Sequence, residues 1–265
     1  MATARPLLVG IQGASGRIGT RLIQLIQADP ALALGAALDR PDHPRLGDDI
    51  GAVLGLGTLG VPLAASLDRP VDAMIDFSTP AGTLALAKVC GERRIPLVVG
   101  TTGLEPDQRQ EIEQAGAVIP VLISSNFSKA VNLLMRLAGE AARALGDAAD
   151  IEIVERHHHF KKDAPSGTAL RLAEVVGQAI RSNQLVYGRH GLVGERTRGE
   201  IGLHALRTGD NPGEHTVVFG LMGECLELSH RALNRDGFAL GALDAARFLA
   251  GKPPKLYTMN DLLEG

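Results

Sequence analysis

The N-terminal segment restricts the fold of this chain more than any other part of it. Pro6–Ile11 is a short apolar run, which is typical of a buried parallel strand. The glycine-rich turn Gly13–Gly19 follows, and then a helical pattern of apolar residues. A second apolar run, Leu32–Leu38, leads directly into Asp39. Strand, glycine turn, helix, strand and acid in this order predict a βαβ unit that binds a dinucleotide.

The glycines are spaced G-x-x-G-x-x-G, which is weaker evidence than the strict G-x-G-x-x-G pattern, so a purely structural turn is the alternative. Asp39 stands twenty positions after Gly19, where such a unit places the acid that binds the adenosine ribose. A carboxylate there favours the free 2′-hydroxyl of NAD, whereas the guanidinium of Arg40 can hold the 2′-phosphate of NADP. The pair predicts that both NADH and NADPH are used. In the alternative, Asp39 caps a turn and Arg40 lies on the surface.

Three further strand-like segments follow, at 71–77, 95–99 and 118–123, and each runs into a loop of small polar residues. A helical segment over 81–90 separates the first two. Because strands and helices alternate, we predict an α/β fold with an N-terminal doubly wound, Rossmann-like parallel sheet. Such a sheet binds ligands at the carboxyl ends of its strands, where these loops fall. We expect 42–60, rich in glycine and charge, to be a loop over the sheet.

The stretch Glu155–Thr168 concentrates histidines, lysines and a helix start. Polar and apolar residues alternate over 150–154, which predicts a half-buried strand. If the strand continued, His157, His159 and Lys161 would share one of its faces. Titratable groups on such a face indicate acid–base chemistry on an acidic small molecule.

Pro165 ends this strand, and Ser166 can cap a helix that follows it. Gly167 lets a ligand approach the backbone closely. The N–H groups at a helix start, beside His158 and Lys161, predict a site for a carboxylate.

The run of three histidines at 157–159 has two other interpretations. It can bind a metal ion, but neither a His-Glu-x-x-His motif nor a Cys/His spacing accompanies it, so we predict no metal. It can also be a solvated strand end.

The pattern changes in the C-terminal half of the chain. Strand-like segments occur at 201–207, 214–221 and 224–231. Turn sequences at 209–213 and 222–223 separate them, which predicts antiparallel neighbours. These segments indicate a second, α+β domain.

We place this inserted domain at residues 128–237 and expect it to bind the substrate and to mediate oligomerisation. Residues 1–127 and 238–265 would form the dinucleotide-binding domain, with a helix over 237–250 at the second junction. The strands of the inserted domain form an open sheet whose faces need covering, so self-association is expected.

Composition bears on the partners of the chain. The 27 Lys and Arg residues against 30 Asp and Glu residues give a formal net charge of −3, which gives no reason to expect a nucleic acid or a membrane as partner. The two cysteines form no metal or redox motif. No leader sequence and no apolar run of about 18 residues is found, so we expect a cytoplasmic protein.

Taken together, these segments resemble the 4-hydroxy-tetrahydrodipicolinate reductase (dihydrodipicolinate reductase) family over nearly the whole chain, from the glycine turn to 257–263. Shorter matches occur in order at 100–103, 126–128, 194–196 and 213–216. The most specific match is Glu155-x-His157-His158-x-x-Lys161-x-Asp163-Ala164-Pro165-Ser166-Gly167-Thr168.

The resemblance implies a reaction and an assembly. The reaction is the NAD(P)H-dependent reduction of 4-hydroxy-tetrahydrodipicolinate, a small cyclic dicarboxylate, to tetrahydrodipicolinate with loss of water, in diaminopimelate and lysine biosynthesis. The assembly is a homotetramer formed through the sheet of the inserted domain.

The resemblance also implies roles for individual residues. His157 corresponds to the acid/base residue and Lys161 to the proton donor. His158, Gly167 and Thr168 correspond to ligands of the substrate carboxylates, and the helix start adds Ser166 as a predicted N–H donor to them. The cofactor site corresponds to Gly13, Ala14, Ser15, Gly16, Arg17, Ile18, Asp39, Arg40, Gly100, Thr101, Thr102, Ser124, Ser125, Asn126 and Phe127.

The sequence departs from the family pattern near 128–132. Ala130 stands where the family commonly has glycine, and alanine does not favour a positive φ, so the geometry of a hinge there is in question. Lys129 adds a cation at the same junction. Ile18 replaces a common methionine, an exchange that we expect to be harmless.

Two other functions compete with the family assignment. One is another nicotinamide-dependent enzyme on the same architecture, such as an imine or amino-acid dehydrogenase. The other is a nonenzymatic dinucleotide sensor. The fold alone does not separate them. The set formed by His157 and Lys161 argues against the sensor, because a protein that only binds needs no proton donors.

Overall fold

The computed structural model describes residues 5–234 and 236–265, which belong to two compact units. The first unit ends at Ser128 and resumes at Asp236, and the second begins at Lys129. The boundaries placed from the sequence, after residues 127 and 237, lie within two residues of these positions. No helix in the described ranges is long and apolar enough to cross a membrane.

The first unit is built on a seven-stranded sheet. Its strands, numbered along the whole chain, are β1 (Leu7–Gln12), β2 (Leu32–Leu38), β3 (Leu63–Ala64), β4 (Ala73–Asp76), β5 (Leu97–Val99), β6 (Pro120–Ile123) and β12 (Lys255–Tyr257). All of them pair in parallel, in the order β12-β6-β5-β4-β1-β2-β3. The predicted doubly wound sheet is therefore confirmed. The strand order reverses at β1, so the loops after β1 and β4 border the crevice where such sheets bind ligands.

Helices cover both faces of this sheet. They are α1 (Arg17–Ala28), α2 (Ile50–Leu54), α3 (Pro80–Arg93), α4 (Pro106–Gln114), α7 (Asp236–Leu249) and α8 (Met259–Glu264). One apolar core packs α1 and α7 against the sheet, and a second packs α3 and α4 against its other face. The prediction of a loop throughout 42–60 is wrong, because Asp49 accepts hydrogen bonds from the amides of Gly51 and Ala52 and thereby caps α2.

The second unit contains α5 (Lys129–Leu145), β7 (Asp150–His157), α6 (Gly167–Ile180), β8 (Gln184–Tyr187), β9 (Glu200–Arg207), β10 (Glu214–Leu221) and β11 (Glu224–Arg231). Its strands form one mixed sheet in the order β11-β10-β7-β9-β8. The prediction that the 209–213 turn joins antiparallel neighbours is wrong, because β7 lies between β9 and β10. The 222–223 turn does join an antiparallel pair, β10 and β11.

One face of this sheet packs against α5 and α6. Along β7, the buried positions are Ile151, Ile153, Glu155 and His157. β7 occupies the middle of the sheet with β9 and β10 on its flanks, and this stripe is buried along its whole length. The stripe begins apolar and ends in two polar side chains, which marks the end of β7 as the place for a site.

β7 ends at His157, so the prediction that His157, His159 and Lys161 share a strand face is wrong. The amides of the two residues after His157 donate to carbonyls in the 209–213 loop. The Lys161 amide then donates to the carbonyl of His158. These hydrogen bonds turn the backbone away from the sheet.

Ala130 lies in the first turn of α5. Its φ is not among the positive values of the described residues. Alanine therefore fits this position without strain, and the expected difficulty with a missing glycine does not arise.

Candidate active site

Close backbone packing shapes the glycine turn after β1. Gly13 has a φ of 76°, and a Cβ there would come within 2.5 Å of the Phe77 carbonyl oxygen. A Cβ on Gly19 would come within 2.2 Å of the Gly13 carbonyl oxygen. A side chain at either position would push α1 or the loop after β4 away from the turn, so both need glycine.

The start of α1 suits an anion. Its N-cap residue is Gly16, and in the described part of the chain no side chain caps this helix. By contrast, the side chains of Thr79 and Ser166 cap α3 and α6. The N–H groups at the start of α1, together with the helix dipole, favour a phosphate. The residues present therefore fit the pyrophosphate of a dinucleotide.

Asp39 lies beside this turn. Its Oδ2 accepts hydrogen bonds from the amide and Oγ of Ser15 at 3.0 and 2.6 Å, and its Oδ1 accepts one from the Arg40 amide at 2.9 Å. Burial alone would raise the pKa of Asp39, but the hydrogen bonds from Ser15 and Arg40 outweigh it and lower the pKa. The Arg40 side chain is 65% exposed, with Nε 3.5 Å from Asp42 Oδ1. The turn thus has a charged acceptor beside it and a guanidinium at the surface.

Sequence reasoning missed a buried acid at the end of β4. Asp76 is fully buried and accepts hydrogen bonds from the hydroxyls of Ser78 at 2.5 Å, of Thr101 at 2.9 Å and of Thr83. Burial raises the pKa of Asp76 although these hydroxyls oppose the shift. The network joins the loops after β4 and β5. An aspartate at the end of an otherwise apolar strand, shortly before Ser78, was the available signal.

Two residues of the predicted cofactor loops serve packing. A Cβ on Gly100 would come within 2.2 Å of the Phe77 ring, so this glycine makes room for that ring. Phe127 is 1% exposed and packs edge-on against Phe77, with ring centroids 5.7 Å apart. The Phe127 side chain therefore belongs to the core, and its backbone carbonyl packs closely against Gly241 of α7. Asn126 orders the same loop, because its Oδ1 accepts a hydrogen bond from the Ser128 amide at 2.9 Å.

The other predicted cofactor residues differ in exposure. Arg17, Thr102 and Ser125 are exposed, Ile18 is half-buried and Ala14 is buried. Arg17 and Ile18 begin α1, and the remaining predicted residues lie in the loops after β1, β2, β5 and β6. These four strands lie with β4 in one contiguous part of the sheet. The structure thus brings the predicted cofactor residues to the carboxyl edge of the first unit's sheet.

In the second unit, Glu155 connects the residues predicted to act on the substrate. Its side chain is 1% exposed. Oε2 accepts hydrogen bonds from His157 Nδ1 at 2.6 Å and from Arg207 at 2.8 Å, and Oε1 accepts from the Ser166 amide at 2.9 Å and from Arg207 at 2.9 Å. Burial alone would raise the pKa of Glu155, but the hydrogen bonds from Arg207, His157 and Ser166 outweigh it and lower the pKa. Both oxygens of this carboxylate therefore act as acceptors.

His157 meets the carboxylate of Glu155 through Nδ1. An ionised carboxylate cannot donate, so Nδ1 donates to it. In the neutral imidazole, Nε2 is then the nitrogen that accepts a proton. The His157 side chain is 11% exposed. An imidazole oriented by a buried acid in this way can serve as a general acid or base.

α6 begins at Gly167 with Ser166 as its N-cap residue, which confirms the predicted cap. Ser166 Oγ accepts a hydrogen bond from the Ala169 amide at 3.2 Å, and the Ser166 amide donates to Glu155. The Ser166 N–H group is thus engaged within the protein, which does not fit its predicted role as a donor to the substrate. A Cβ on Gly167 would meet none of the described residues within 4 Å, so this backbone faces open space, with Thr168 next in the helix.

Lys161 lies after the turn that follows β7, and its side chain is 20% exposed. Its Nζ is 2.9 Å from Asp163 Oδ2, and this hydrogen bond lowers the pKa of Asp163. Arg207 donates to the Asp163 carbonyl at 2.6 Å. Arg207, which sequence reasoning missed, therefore holds both Glu155 and the segment that carries Lys161. The structure brings His157, Lys161 and the start of α6 together around it.

His215 is a third residue whose place in the site sequence reasoning missed. It is buried on β10, directly opposite Glu155. Its Nε2 lies 3.2 Å from Ser166 Oγ, and its ring centroid lies 5.2 Å from that of His157. Burial, together with the nearby His157 and His230, lowers the pKa of His215 to about 3. His215 is therefore neutral at physiological pH.

Comparison with known proteins identifies the family. The family models described as dihydrodipicolinate reductase, N-terminus, and dihydrodipicolinate reductase, C-terminus, match residues 7–127 and 130–263. The 4-hydroxy-tetrahydrodipicolinate reductase of Anaeromyxobacter dehalogenans is 43% identical over 261 residues, which cover 96% of this chain and 97% of that protein. The protein of the same name from Syntrophotalea carbinolica is 44% identical, with 96% and 98% covered.

Solved structures show the same fold. A dipicolinate-bound dihydrodipicolinate reductase from Paenisporosarcina sp. TG-14 superimposes with a TM-score of 0.78 at 23% identity, covering 96% of this chain and 99% of that one. An amine dehydrogenase from Mycobacterium smegmatis superimposes with a TM-score of 0.64 at 11% identity, covering 97% and 96%. These structural likenesses establish the architecture. The family models and the curated relatives identify the family as well. The chain belongs to the dihydrodipicolinate reductase family of nicotinamide-dependent oxidoreductases.

Proposed function

We propose that this chain reduces 4-hydroxy-tetrahydrodipicolinate to tetrahydrodipicolinate, with loss of water, in the biosynthesis of diaminopimelate and lysine. Membership of the family supports the reaction. One observation in the second unit carries the assignment of residues: a buried Glu155 orients His157, and Arg207 ties this pair to the segment that carries Lys161. Oriented proton carriers next to a helix start suit a reaction that adds hydride and a proton to an acidic substrate.

NADH or NADPH is the cofactor in this proposal. The uncapped start of α1 at Gly16 would hold the pyrophosphate, and Asp39 would accept hydrogen bonds from the adenosine ribose. The exposed Arg40 would meet the 2′-phosphate of NADPH. When bound, the dihydronicotinamide supplies the hydride.

The residues of the second unit would hold the substrate and move protons. Lys161 would donate the proton that a ring carbon requires once hydride has been added elsewhere in the conjugated system. His157, with Nδ1 fixed by Glu155, would exchange protons through Nε2. Gly167, Thr168 and His158 would bind the two carboxylates, and the cation of Lys161 would add to their attraction. Ser166 contributes by capping α6.

We also infer a homotetramer that assembles through the face of the second unit's sheet that α5 and α6 do not cover. Val154 and Val218 are half-buried on this face, and Leu206 is 50% exposed there. Apolar side chains in such a position favour contact with a second copy. Sedimentation velocity measures the assembly directly.

The cytoplasmic location stays a prediction from the sequence.

A coupled assay tests the reaction. The cyclic substrate is generated from pyruvate and aspartate semialdehyde, and oxidation of NADH or NADPH is followed by absorbance. We expect oxidation that depends on the cyclic substrate and is inhibited by pyridine-2,6-dicarboxylate. Oxidation with simple imines or 2-oxo acids and ammonia alone would favour an imine or amino-acid dehydrogenase. Binding of NADH without any turnover would favour a dinucleotide sensor.

A further inference from the structure

We propose that Glu155 is a positioning residue that sets the tautomer of His157 and couples it to the start of α6. The role rests on the proposed function of His157 as a proton carrier. In that proposal Glu155 touches neither cofactor nor substrate, because its side chain is 1% exposed and makes its contacts within the protein.

The two oxygens of Glu155 divide their work. Oε2 accepts from His157 Nδ1 at 2.6 Å, and Oε1 accepts from the Ser166 amide at 2.9 Å. Arg207 donates to both oxygens, at 2.8 and 2.9 Å, which fixes the plane of the carboxylate. A rigid carboxylate therefore connects the imidazole on β7 with the N-cap residue of α6. A shift of either element would be transmitted to the other through this group.

Only a carboxylate satisfies this arrangement. All four of the groups that approach Glu155 donate, namely one imidazole N–H, one amide N–H and two guanidinium N–H groups. Arg207 supplies the opposite charge that makes burial of the acid tolerable. Glutamine has the same size, but its NH₂ group would face at least one of these donors in either orientation. An amide such as that of Ser166 cannot give up its proton, so we expect the NH₂ group on the side of His157. There the conflict with the imidazole is relieved if the proton of His157 moves from Nδ1 to Nε2, which would leave Nε2 unable to accept a proton, while one N–H of Arg207 still faces the NH₂ group.

Glu152 offers a matched control on the same strand. Its carboxylate also accepts from a bidentate arginine, Arg189, at 3.0 and 2.8 Å, and pairs with a histidine, His204, at 2.7 Å. It lies on the opposite face of β7 from the buried stripe that carries Glu155 and His157. Glu152→Gln thus removes a similar charge from a similar network and leaves the Glu155–His157 pair in place. Because Glu152 lies on the face proposed for assembly, sedimentation velocity should first show the wild-type assembly for this variant.

The experiment uses the full-length enzyme labelled with ¹⁵N at histidine, with the His157 signals assigned by their loss in His157→Gln. Nitrogen shifts are recorded at a pH where the imidazole is neutral, because they distinguish the two tautomers. We expect His157 to carry its proton on Nδ1 in the wild type and in Glu152→Gln. In Glu155→Gln, we expect the Nε2-protonated form to become populated and kcat to fall at least about tenfold with little change in the Kd for NADH.

The outcomes separate this proposal from the one on which it rests. A wild-type His157 protonated on Nε2 would overturn the role of Glu155 even if no variant folded. An unchanged tautomer in a folded Glu155→Gln enzyme would also overturn it, whatever the activity. If the tautomer shifts in Glu155→Gln and kcat does not, Glu155 does position the ring and the assignment of His157 as a proton carrier is the part that fails.

Discussion

Gly213 lies against the imidazole of His157, since a Cβ built on Gly213 would come within 2.9 Å of His157 Nε2. The φ of Gly213 is 150°, and its amide donates to Asn211 Oδ1 at 2.8 Å, which holds the loop in place. Glu155 binds the other ring nitrogen. The ring therefore lies between the buried carboxylate of Glu155 and the backbone of Gly213.

We expect Gly213→Ala to displace the ring and to lower kcat by about 10²-fold, because an error of about 1 Å in the position of a catalytic group can cost that much. The Kd for NADH should stay unchanged, since the cofactor residues belong to the first unit. The control is Gly223→Ala, where φ is 92° but a Cβ would meet none of the described residues within 4 Å. Equal losses of kcat in the two variants would assign the effect to backbone strain instead.

Lys161→Ala should lower kcat by roughly 10²–10⁴-fold while NADH still binds, because it removes the proposed proton donor. His157→Gln should act in the same direction, with a smaller loss if Lys161 partly replaces it. Lys162→Ala is the control, since Lys162 is the neighbouring cation and is exposed. Steady-state kinetics and NADH titration check these values. Turnover close to that of the wild type in both variants would rule out the assigned roles.

Gly167→Val should raise KM for the cyclic substrate about tenfold or more and should leave the stability of the protein nearly unchanged. A Cβ at this position meets none of the described residues within 4 Å, so the valine does not clash with the folded protein. It would instead occupy space that a bound carboxylate needs. Gly91→Val in α3 is the control for a valine in a helix, since the nearest atom to its Cβ, Val118 Cγ2, is 3.7 Å away. A normal KM combined with weaker NADH binding would mean that the start of α6 does not hold the substrate.

Much of the first unit could be predicted because its signals are local. The turn after β1 needs glycine at Gly13 and Gly19 for reasons of close packing, and the apolar runs on either side fix the strands. The cap of α6 by Ser166 is also a local signal, because it depends on an amide only three residues away. In such segments, the residues that contact one another are also close together in the sequence.

The hydrogen bonds of the acid–base site depend on contacts between distant residues. Arg207 reaches Glu155 across 52 positions of sequence, and only the parallel pairing of β7 with β9 brings them together. The same pairing was hidden by the 209–213 turn, whose composition indicated a hairpin. The end of β7 at His157 is likewise set by carbonyls of that distant loop. A periodic pattern cannot reveal where such contacts interrupt a strand.

His215 should make stability depend on pH. The pKa of this histidine is lowered to about 3 in the folded protein, first by burial, against an ordinary value of 6.5. Between these values, the unfolded chain binds a proton that the folded chain does not, so the free energy of unfolding should decrease as the pH falls from 6.5 towards 3. Urea denaturation across this range should show a shallower decrease for His215→Gln than for the wild type. The exposed His190→Gln is the control, and an identical slope in all three proteins would contradict the prediction.

Asp39 and Arg40 should discriminate between the two cofactors. Arg40→Ala should lower kcat/KM with NADPH about tenfold and spare NADH, because the exposed guanidinium can reach a 2′-phosphate and a charge-assisted hydrogen bond is worth about that factor. Asp39→Ala should lower kcat/KM more with NADH than with NADPH. The substitution removes the hydrogen-bond acceptor for the ribose, and it also removes a negative charge that repels the 2′-phosphate of NADPH. High salt should weaken the NADPH contribution of Arg40.

The hydrogen bonds from Ser15 to Asp39 provide the control for this test. Ser15→Ala removes the 2.6 Å hydrogen bond from the hydroxyl but leaves the Asp39 charge and the 3.0 Å bond from the amide. If Asp39 serves only to tether the turn, Asp39→Ala and Ser15→Ala should each lower kcat/KM by the same factor with NADH as with NADPH. If Asp39 binds the ribose, only Asp39→Ala should change the ratio of kcat/KM between NADH and NADPH. Measuring both cofactors in all three variants therefore separates recognition of the ribose from support of the turn.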